Sequence, residues 1–137
     1  MNTVSQRPHE VALANTMDVA LMAEILSESD DCIKVIDLAG NITFMSAGGM
    51  RVMEIDYFET ILNCPWPDFW KDDGNAAARE ALEAARSGRS CSFVGTAETA
   101  KGNSRWWEVK VSPILGGDGK PDRILSISRD ITGTKKA

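Results

Sequence analysis

The strongest strand pattern in the chain is SRWWEVKVSPILGGDGKPDRILSISRDIT, residues 104–132. It contains two segments rich in β-branched and aromatic residues, 104–115 and 122–130, on either side of the glycine-rich GGDGKP. This arrangement predicts two antiparallel strands joined by a short connection. A third segment of the same kind, CSFVGTAE at 91–98, precedes them across TAKGN. The C-terminal part of the chain is therefore predicted to be a three-stranded antiparallel meander.

Upstream of the meander, the sequence predicts a hairpin and then a helix. In residues 32–46, CIKVID and NITFMS are short β-rich segments, and Gly40-Asn41 supplies the turn between them. Residues 72–88, DDGNAAAREALEAARSG, have helical periodicity and end at a glycine. The apolar stripe of this helix is Ala78, Ala81, Leu82 and Ala85. Because the stripe is mostly alanine, the helix should approach its neighbour closely.

Residues 11–28 predict an N-terminal helix with a wide apolar face. The residues of this face are Leu13, Met17, Leu21, Met22, Ile25 and Leu26. Such a face must be covered, either by the rest of the domain or by a second copy of the chain. It is therefore the candidate dimerisation surface.

Composition and charge exclude several classes of protein. The 137 residues are 43% hydrophobic and 26% charged, as expected for one globular domain. The formal net charge is −5 and the basic residues are scattered, so we expect no nucleic-acid partner. No apolar run approaches the roughly 20 residues that span a bilayer, and the N-terminus lacks the layout of a signal peptide. We expect a cytoplasmic domain without membrane insertion.

The cysteines and the single histidine leave few catalytic possibilities. Cys32, Cys64 and Cys91 include no C-x-x-C pair and are expected to be buried free thiols. His9 is the only histidine and lies in a polar N-terminal segment. A zinc site or a catalytic triad would have to be built without histidine elsewhere. We therefore expect no catalytic residues and no metal site.

The order of hairpin, helices and meander resembles the PAS family of sensory modules. The resemblance is carried by DLAGNITFMS at 37–46, PWPDFW at 65–70, RWWEVKVSP, GGDGKPDRIL and the closing SRDIT at 128–132. It implies an α+β fold with a five-stranded antiparallel sheet in the order 2-1-5-4-3. Helices cover one face of that sheet and enclose a small-molecule pocket. We expect the N-terminal helix to lie on the other face.

The resemblance also implies a domain organisation and a mode of action. It covers residues 30–132, preceded by a flanking helix within 1–29 and followed by the start of a linker at 133–137. In the family, this linker continues into an effector such as a histidine kinase, and dimers are common. The signal would leave through Asp130, Ile131 and Thr132. The module would not itself be an enzyme.

The stretch ILNCPWPDFW, residues 61–70, bears on the choice of cofactor. The light-oxygen-voltage branch of the family carries G-x-N-C-R-F-x-Q, in which the cysteine attacks flavin. Here Asn63 takes the place of the glycine, and the position three residues later is Trp66 instead of a cysteine. Haem-binding relatives use a histidine on the long helix, which has none here. We expect neither flavin nor haem and leave the cofactor unknown.

The candidate pocket combines strand alternation with the resemblance. Alternation turns Trp107 and Val109 inward, and the other positions follow the family. Gly95 is expected to leave open room beside the sheet. The candidate ligand-binding residues are Lys34, Ile36, Trp66, Phe69, Trp70, Leu82, Phe93, Gly95, Trp107, Val109, Ser126 and Ser128.

The direction of Lys34 is open from the sequence. Polarity alone sends it outward, onto a solvated face, whereas the resemblance turns it into the pocket. A buried lysine without a partner costs several kcal/mol. If it faces inward, an anionic ligand or a carboxylate such as Glu54 or Asp68 should meet it.

Three functions therefore remain open. The first is a sensory module whose tryptophans contact a small molecule. The second is a ligand-free dimerisation domain whose cavity is closed by its aromatic side chains, Trp66, Phe69, Trp70 and Trp107. The third is a small enzyme, which would have only Lys34, Glu54 and Asp68 in its cavity.

Overall fold

The computed structural model describes residues 19–136 of the chain, and the side chains of residues 19–134. The helices are α1 (residues 19–28), α2 (Ala47–Val52), α3 (Asp73–Arg86) and α4 (Thr132–Lys136). The strands are β1 (Cys32–Ile36), β2 (Ile42–Met45), β3 (Cys91–Glu98), β4 (Ser104–Leu115) and β5 (Pro121–Asp130). Two 3₁₀ turns, Phe58–Thr60 and Trp66–Phe69, lie between α2 and α3.

The five strands form one antiparallel sheet in the order β2-β1-β5-β4-β3, which confirms the predicted fold class. The predicted hairpin is β1 and β2, and its turn contains Gly40 at φ 99°. The predicted meander is β3, β4 and β5. Pairing of β1 with β5 joins the two halves of the chain at the centre of the sheet.

One face of the sheet is covered by α3 and by the segment with the 3₁₀ turns. The predicted stripe of α3 faces the sheet, since Ala78, Ala81 and Ala85 are fully buried and Leu82 is 3% exposed. Alanine side chains allow this close approach because they add so little volume between the helix and the strands. The hydrophobic core therefore lies in this one layer, with the candidate pocket inside it.

The opposite face of the sheet is exposed at its edge strands and half-buried at its central strands, where Ile33, Val35, Leu125 and Ile127 lie. Outward-facing Phe44 and Val94 are 41% and 48% exposed. The α1 side chains Leu21, Met22 and Ile25 are 53–55% exposed, and residues 11–18 of the predicted helix lie outside the described residues, so its cover of this face stays a prediction. Leu26 is half-buried, and Met17 lies outside the described residues. No helix within residues 19–136 is long and apolar enough to cross a membrane.

Helix α2 is fixed against the start of β1 by Ser46 and two glycines. Ser46 caps the helix, since its hydroxyl oxygen accepts hydrogen bonds from the backbone N–H of Gly49 (3.0 Å) and of Ile33 (3.2 Å). At Gly48 the backbone approaches the carbonyl oxygen of Ser29 so closely that an added Cβ would lie 1.6 Å from it. A side chain at this position is therefore incompatible with the packing of α2.

We expect Gly48→Ala to lower the free energy of unfolding by at least about 2 kcal/mol, because the new methyl group meets backbone that cannot turn aside. Urea denaturation measures this change. The control is Gly117→Ala, where an added Cβ meets nothing within 4 Å, and the expected change is below about 0.5 kcal/mol. Equal destabilisation by both substitutions would contradict this account of α2.

Candidate functional site

The candidate pocket lies between the sheet and the Trp66–Phe69 turn. Its walls are Lys34, Met53, Trp66, Phe69, Trp70, Ala97, Trp107 and Ser128. All but Met53 and Ala97 are among the candidate residues from the sequence. Met53 follows α2 directly, in a segment with no strand periodicity to indicate its direction, whereas Ala97 lies on the same face of β3 as Phe93 and Gly95.

The remaining candidate residues surround this cavity without lining it. Ile36, Val109 and Ser126 are fully buried, and Leu82 is 3% exposed. Phe93 is half-buried and packs against the core. These residues form the packed layer around the site.

Three aromatic rings close the cavity by edge-to-face packing. The centroid of Trp70 lies 5.2 Å from that of Phe93 and 6.0 Å from that of Trp66, with interplanar angles of 76° and 75°. Such pairs each contribute about 0.5–1.5 kcal/mol beyond the area they bury. An added Cβ at Gly95 would lie 3.3 Å from Trp70 Cε3. The expectation of open room at Gly95 is therefore wrong, because the indole of Trp70 occupies that space.

As a result, the cavity is very small. Its volume is about 10 Å³, close to the minimum of roughly 10–15 Å³ that holds one water molecule. Sites for small organic ligands typically measure about 300–1,000 Å³. In this conformation the interior has no room for a flat ligand between the tryptophans.

Lys34 extends into this interior and is only 2% exposed. The structure therefore supports the direction that the resemblance implied over the one that polarity favoured. Its Nζ lies 3.0 Å from the Sγ of Cys32, two residues earlier on the same face of β1. Neither of the carboxylates expected to meet it, Glu54 or Asp68, does so. Indeed, no ion pair to Lys34 is formed within the described part of the chain.

Four other polar side-chain atoms in the described part of the chain are buried without a hydrogen-bond partner. They are the indole Nε1 atoms of Trp66 and Trp70 and the hydroxyls of Ser126 and Ser128. Ser126 pairs with Lys34 across the β1–β5 ladder, and Ser128 lines the cavity. A buried polar group without a partner costs about 1–3 kcal/mol. We call Lys34, Trp66, Trp70, Ser126 and Ser128 the interior polar cluster.

Glu54, considered above as a carboxylate partner of Lys34, instead forms hydrogen bonds with Thr99 and Asn103. Its backbone adopts φ 58°, and its carboxylate accepts hydrogen bonds from the hydroxyl of Thr99 (2.6 Å) and from the side-chain amide of Asn103. The Thr99 bond is the larger cause, and the two together lower the pKa of Glu54. Glu54 thus ties the end of α2 to the turn between β3 and β4, about 50 residues apart in sequence.

The end of β5 forms a compact hydrogen-bonded turn into α4. The Asp130 carboxylate accepts a hydrogen bond from the backbone N–H of Thr132 (2.9 Å) and forms an ion pair with Arg105 at 3.5 Å. The backbone N–H of Trp106 donates to the Thr132 hydroxyl, and that of Ile131 donates to the Trp106 carbonyl, both at 2.9 Å. The residues Asp130, Ile131 and Thr132 are therefore anchored to β4.

The same end of β5 is also tied to the start of β1. Arg129 contacts both carboxylate oxygens of Asp31, at 3.3 and 3.4 Å. Asp31 raises the pKa of the Arg129 guanidinium through this hydrogen bond and its charge. Arg129 is largely exposed, so the pair adds little stability. The pair does hold Asp31, which follows α1, beside Arg129, the residue immediately before Asp130.

The cysteines are all free, but only Cys32 is buried. Cys64 and Cys91 are half-buried, so the expectation that all three are inaccessible is wrong. Asn63 adopts φ 65°, in the left-handed region that asparagine tolerates better than most residues. Trp66, three residues later, is fully buried.

A family model described as the PAS fold matches residues 26–136 of this chain. Among curated proteins, no significant match is found. Among solved structures, the PAS domain of a protein from Colwellia psychrerythraea is 23% identical over 84% of this chain and 98% of its own, with a TM-score of 0.72. The PAS domain of an HTR-like protein from Haloarcula marismortui is 23% identical over 92% and 100%, with a TM-score of 0.69.

Light-oxygen-voltage proteins are also among the structural neighbours. A structure described as an RNA-binding light-oxygen-voltage receptor is 15% identical, with a TM-score of 0.72, over 85% of this chain but only 34% of its own. At such identities the likeness shows the fold alone. The comparisons therefore do not decide between a flavin-binding and a flavin-free interior.

The lowered pKa of Glu54 leads to a testable pH dependence. Its ordinary value is 4.5, so the ionised carboxylate contributes its full stability above that pH. This contribution is lost as the pH falls through the lower folded-state pKa. We expect Glu54→Gln to lose less stability than the wild-type chain between pH 4.5 and pH 3, as measured by urea denaturation across this range.

A matched control for that experiment is Glu80→Gln, a change at an exposed position of α3. This variant should keep the pH dependence of the wild-type chain. Identical slopes for wild type and Glu54→Gln would mean that the bonds to Thr99 and Asn103 do not discriminate between the two protonation states.

Proposed function

The chain belongs to the PAS family, whose members are sensory modules typical of signal transduction, and on this premise we propose that it relays the state of its interior to a downstream effector. The state is that of the interior polar cluster. The signal passes out of the domain through Asp130, Ile131 and Thr132. The effector is a domain joined by a helical linker, such as a histidine kinase. Residues 30–132 form the sensory domain in this proposal.

The observation that carries this proposal is the position of β5. This strand contributes Ser126 and Ser128 to the interior and ends at Asp130, only a few residues later. It lies between β1, which carries Lys34, and β4, to which the exit is anchored. At about 3.3 Å per residue, Ser126 and Asp130 are roughly 13 Å apart. A shift of β5 caused by the interior therefore reaches the exit through one continuous strand.

The proposed module is not a photosensor of the light-oxygen-voltage type. Three features support this: Trp66 stands where that branch has its reactive cysteine, Cys64 is half-buried at the surface, and the cavity measures about 10 Å³. An indole cannot form the thiol adduct with flavin. For haem, α3 has no histidine that could bind the iron.

The proposed module is also not an enzyme. General acid or base catalysis needs a titratable group and a partner that orients it, both facing a substrate. Lys34 contacts a thiol in a closed interior, and Glu54 is engaged by Thr99 and Asn103. No group of three or more potential metal ligands occurs within residues 19–136.

A second candidate function is a ligand-free dimerisation module, which PAS domains commonly provide. The nearly filled cavity favours it, as does the exposed apolar face of α1, where Val19 is 68% exposed. In such a module, repacking of the α1 helices between two copies carries the signal. The two candidates share the exit at Asp130 and differ in where the signal starts.

The relay is tested by a double-mutant cycle in a fusion of this chain to a histidine kinase reporter. We expect Ser126→Val, a change inside the core, to alter the reporter's output when the exit is intact. In the Asp130→Ala background the same change should have no effect, because the turn that ties β5 to α4 is lost. The reporter's autophosphorylation rate is the measurement.

The matched control for the relay is Asp122→Ala. This exposed aspartate lies near the start of β5 and forms only a surface ion pair with Arg123. It should leave the effect of Ser126→Val unchanged. Since Asp130 is also near the surface, Asp130→Ala should cost less than about 1 kcal/mol of stability. Independent, additive effects of Ser126→Val and Asp130→Ala would refute the relay.

The dimerisation candidate is tested at Ile25. If α1 forms the interface, Ile25→Glu should raise the dimer dissociation constant at least about tenfold, because a charge is then desolvated within an apolar contact. Sedimentation velocity measures the constant, and near-ultraviolet circular dichroism checks that the fold persists. Glu24→Gln, one residue earlier, is the control. A wild-type chain that stays monomeric at all concentrations would remove this candidate.

A further inference from the structure

The interior polar cluster is unusual because it consists almost entirely of hydrogen-bond donors. The indole N–H groups of Trp66 and Trp70 and the amine of Lys34, when protonated, can only donate. The hydroxyls of Ser126 and Ser128 can donate or accept, yet neither has a partner. Within the described part of the chain, the hydrogen-bond partner of Lys34 is the thiol of Cys32, a weak acceptor. What the cluster lacks is a strong acceptor.

The charge of the missing acceptor follows from Lys34. A buried ammonium group without a counter-ion costs several kcal/mol, and an anion beside Lys34 would remove that cost. None of the carboxylates in the described part of the chain forms an ion pair with Lys34. A water molecule could accept two of the donated hydrogen bonds, but it would bring no charge. An anion satisfies both requirements.

The size of the anion follows from the cavity. A volume of about 10 Å³ admits a single small particle. The walls are aromatic and buried, with Trp66 fully buried, Trp107 at 1% and Trp70 at 4% exposure. A doubly charged anion such as sulfate would be larger than the space and would outweigh the single positive charge.

We propose that the interior polar cluster binds one compact monoanion, a halide or a carboxylate as small as formate, with Lys34 as its counter-ion. The indole N–H groups of Trp66 and Trp70 and the hydroxyl of Ser128, all from residues that line the cavity, donate hydrogen bonds to it. Binding joins β1, β5 and the Trp66–Phe69 turn around one charge. This inference rests on the proposed function for its role in signalling, because the bound anion would be the interior state that β5 relays.

The test is a salt series at constant ionic strength, with sodium gluconate as the background anion because it is too large for the cavity. Sodium chloride, bromide, formate, acetate, benzoate and sulfate each replace part of the gluconate. A binding anion stabilises the folded state saturably. At one hundred times its dissociation constant, the unfolding equilibrium constant should be about 100-fold lower than in gluconate alone.

The series also separates the two sources of the anion. A response to chloride and bromide alone identifies a halide site, and a response to formate without acetate identifies a site for the smallest carboxylate; a response to acetate would contradict the size limit. A response to benzoate or sulfate would overturn the compact monoanion, since neither fits the volume. Equal unfolding constants in all the salts would overturn the proposal as a whole.

Lys34→Met provides the residue-level test, since methionine has a similar length without the charge. We expect this variant to lose the anion response. Lys110→Met is the matched control, because Lys110 is exposed on the outer face of β4, and it should keep the full response. A response that survives in Lys34→Met would overturn the assignment of the counter-ion.

A second measurement uses the wild-type chain alone and so does not depend on whether a variant folds. Bromide quenches tryptophan fluorescence, and Trp66, Trp70 and Trp107 line the cavity. Binding at the cluster predicts saturable quenching that chloride competes away in the wild-type chain. Linear, collisional quenching alone would overturn the proposal. The relay cycle at Asp130 is measured in one fixed buffer, so a failure of anion binding and a failure of the relay can be told apart.

Discussion

The pairing of β1 with β5 at the centre of the sheet places Lys34, Ser126 and Ser128 in the interior. In this register Lys34 lies opposite Ser126, and Cys32 lies opposite Ser128. Because side chains alternate along a strand, a slip of one residue would turn Lys34 and Cys32 outward and bring Ile33 and Val35 into the core. The same slip would expose Ile36, which is fully buried. The register that buries Lys34 therefore also keeps this isoleucine in the core.

The free-energy cost of burying Lys34 is offset by the dense packing of the side chains around it. The aromatic edges of Trp66, Trp70 and Phe93 meet each other, and Gly95 gives Trp70 its place against β3. The alanine stripe of α3 closes the layer from above. A tightly packed interior transmits small displacements, because its parts cannot yield independently. A single charge inside such a layer therefore affects the strands on both sides of it.

The sequence predicted the strands and α3 because their patterns are local. Alternation marks Trp107, Val109 and Val111 as inward, and the spacing of alanines marks the buried side of α3. The order of the strands is not local, and it came from the resemblance to a family. The same is true of Lys34, whose polarity favoured the solvent. Its burial depends on the pairing of strands that lie about 90 residues apart.

Other features of the site had no signal that sequence reasoning could detect. The contact of Glu54 with Thr99 and Asn103 depends on a left-handed residue after α2 and on a turn 45 residues later. The filling of the space at Gly95 depends on the rotamer of Trp70. The exposure of α1 shows a different limit, since an apolar face indicates that a surface will be covered but not by which partner.

The ion pair between Asp31 and Arg129 has a consequence for how such domains combine. Since β1 starts where β5 ends, the helices on either side of the domain reach it at the same corner. The sheet lies to one side of that corner, so its length does not separate the two helices. A domain that the chain enters and leaves at one corner can be inserted between two helical segments without moving them apart by the length of its sheet.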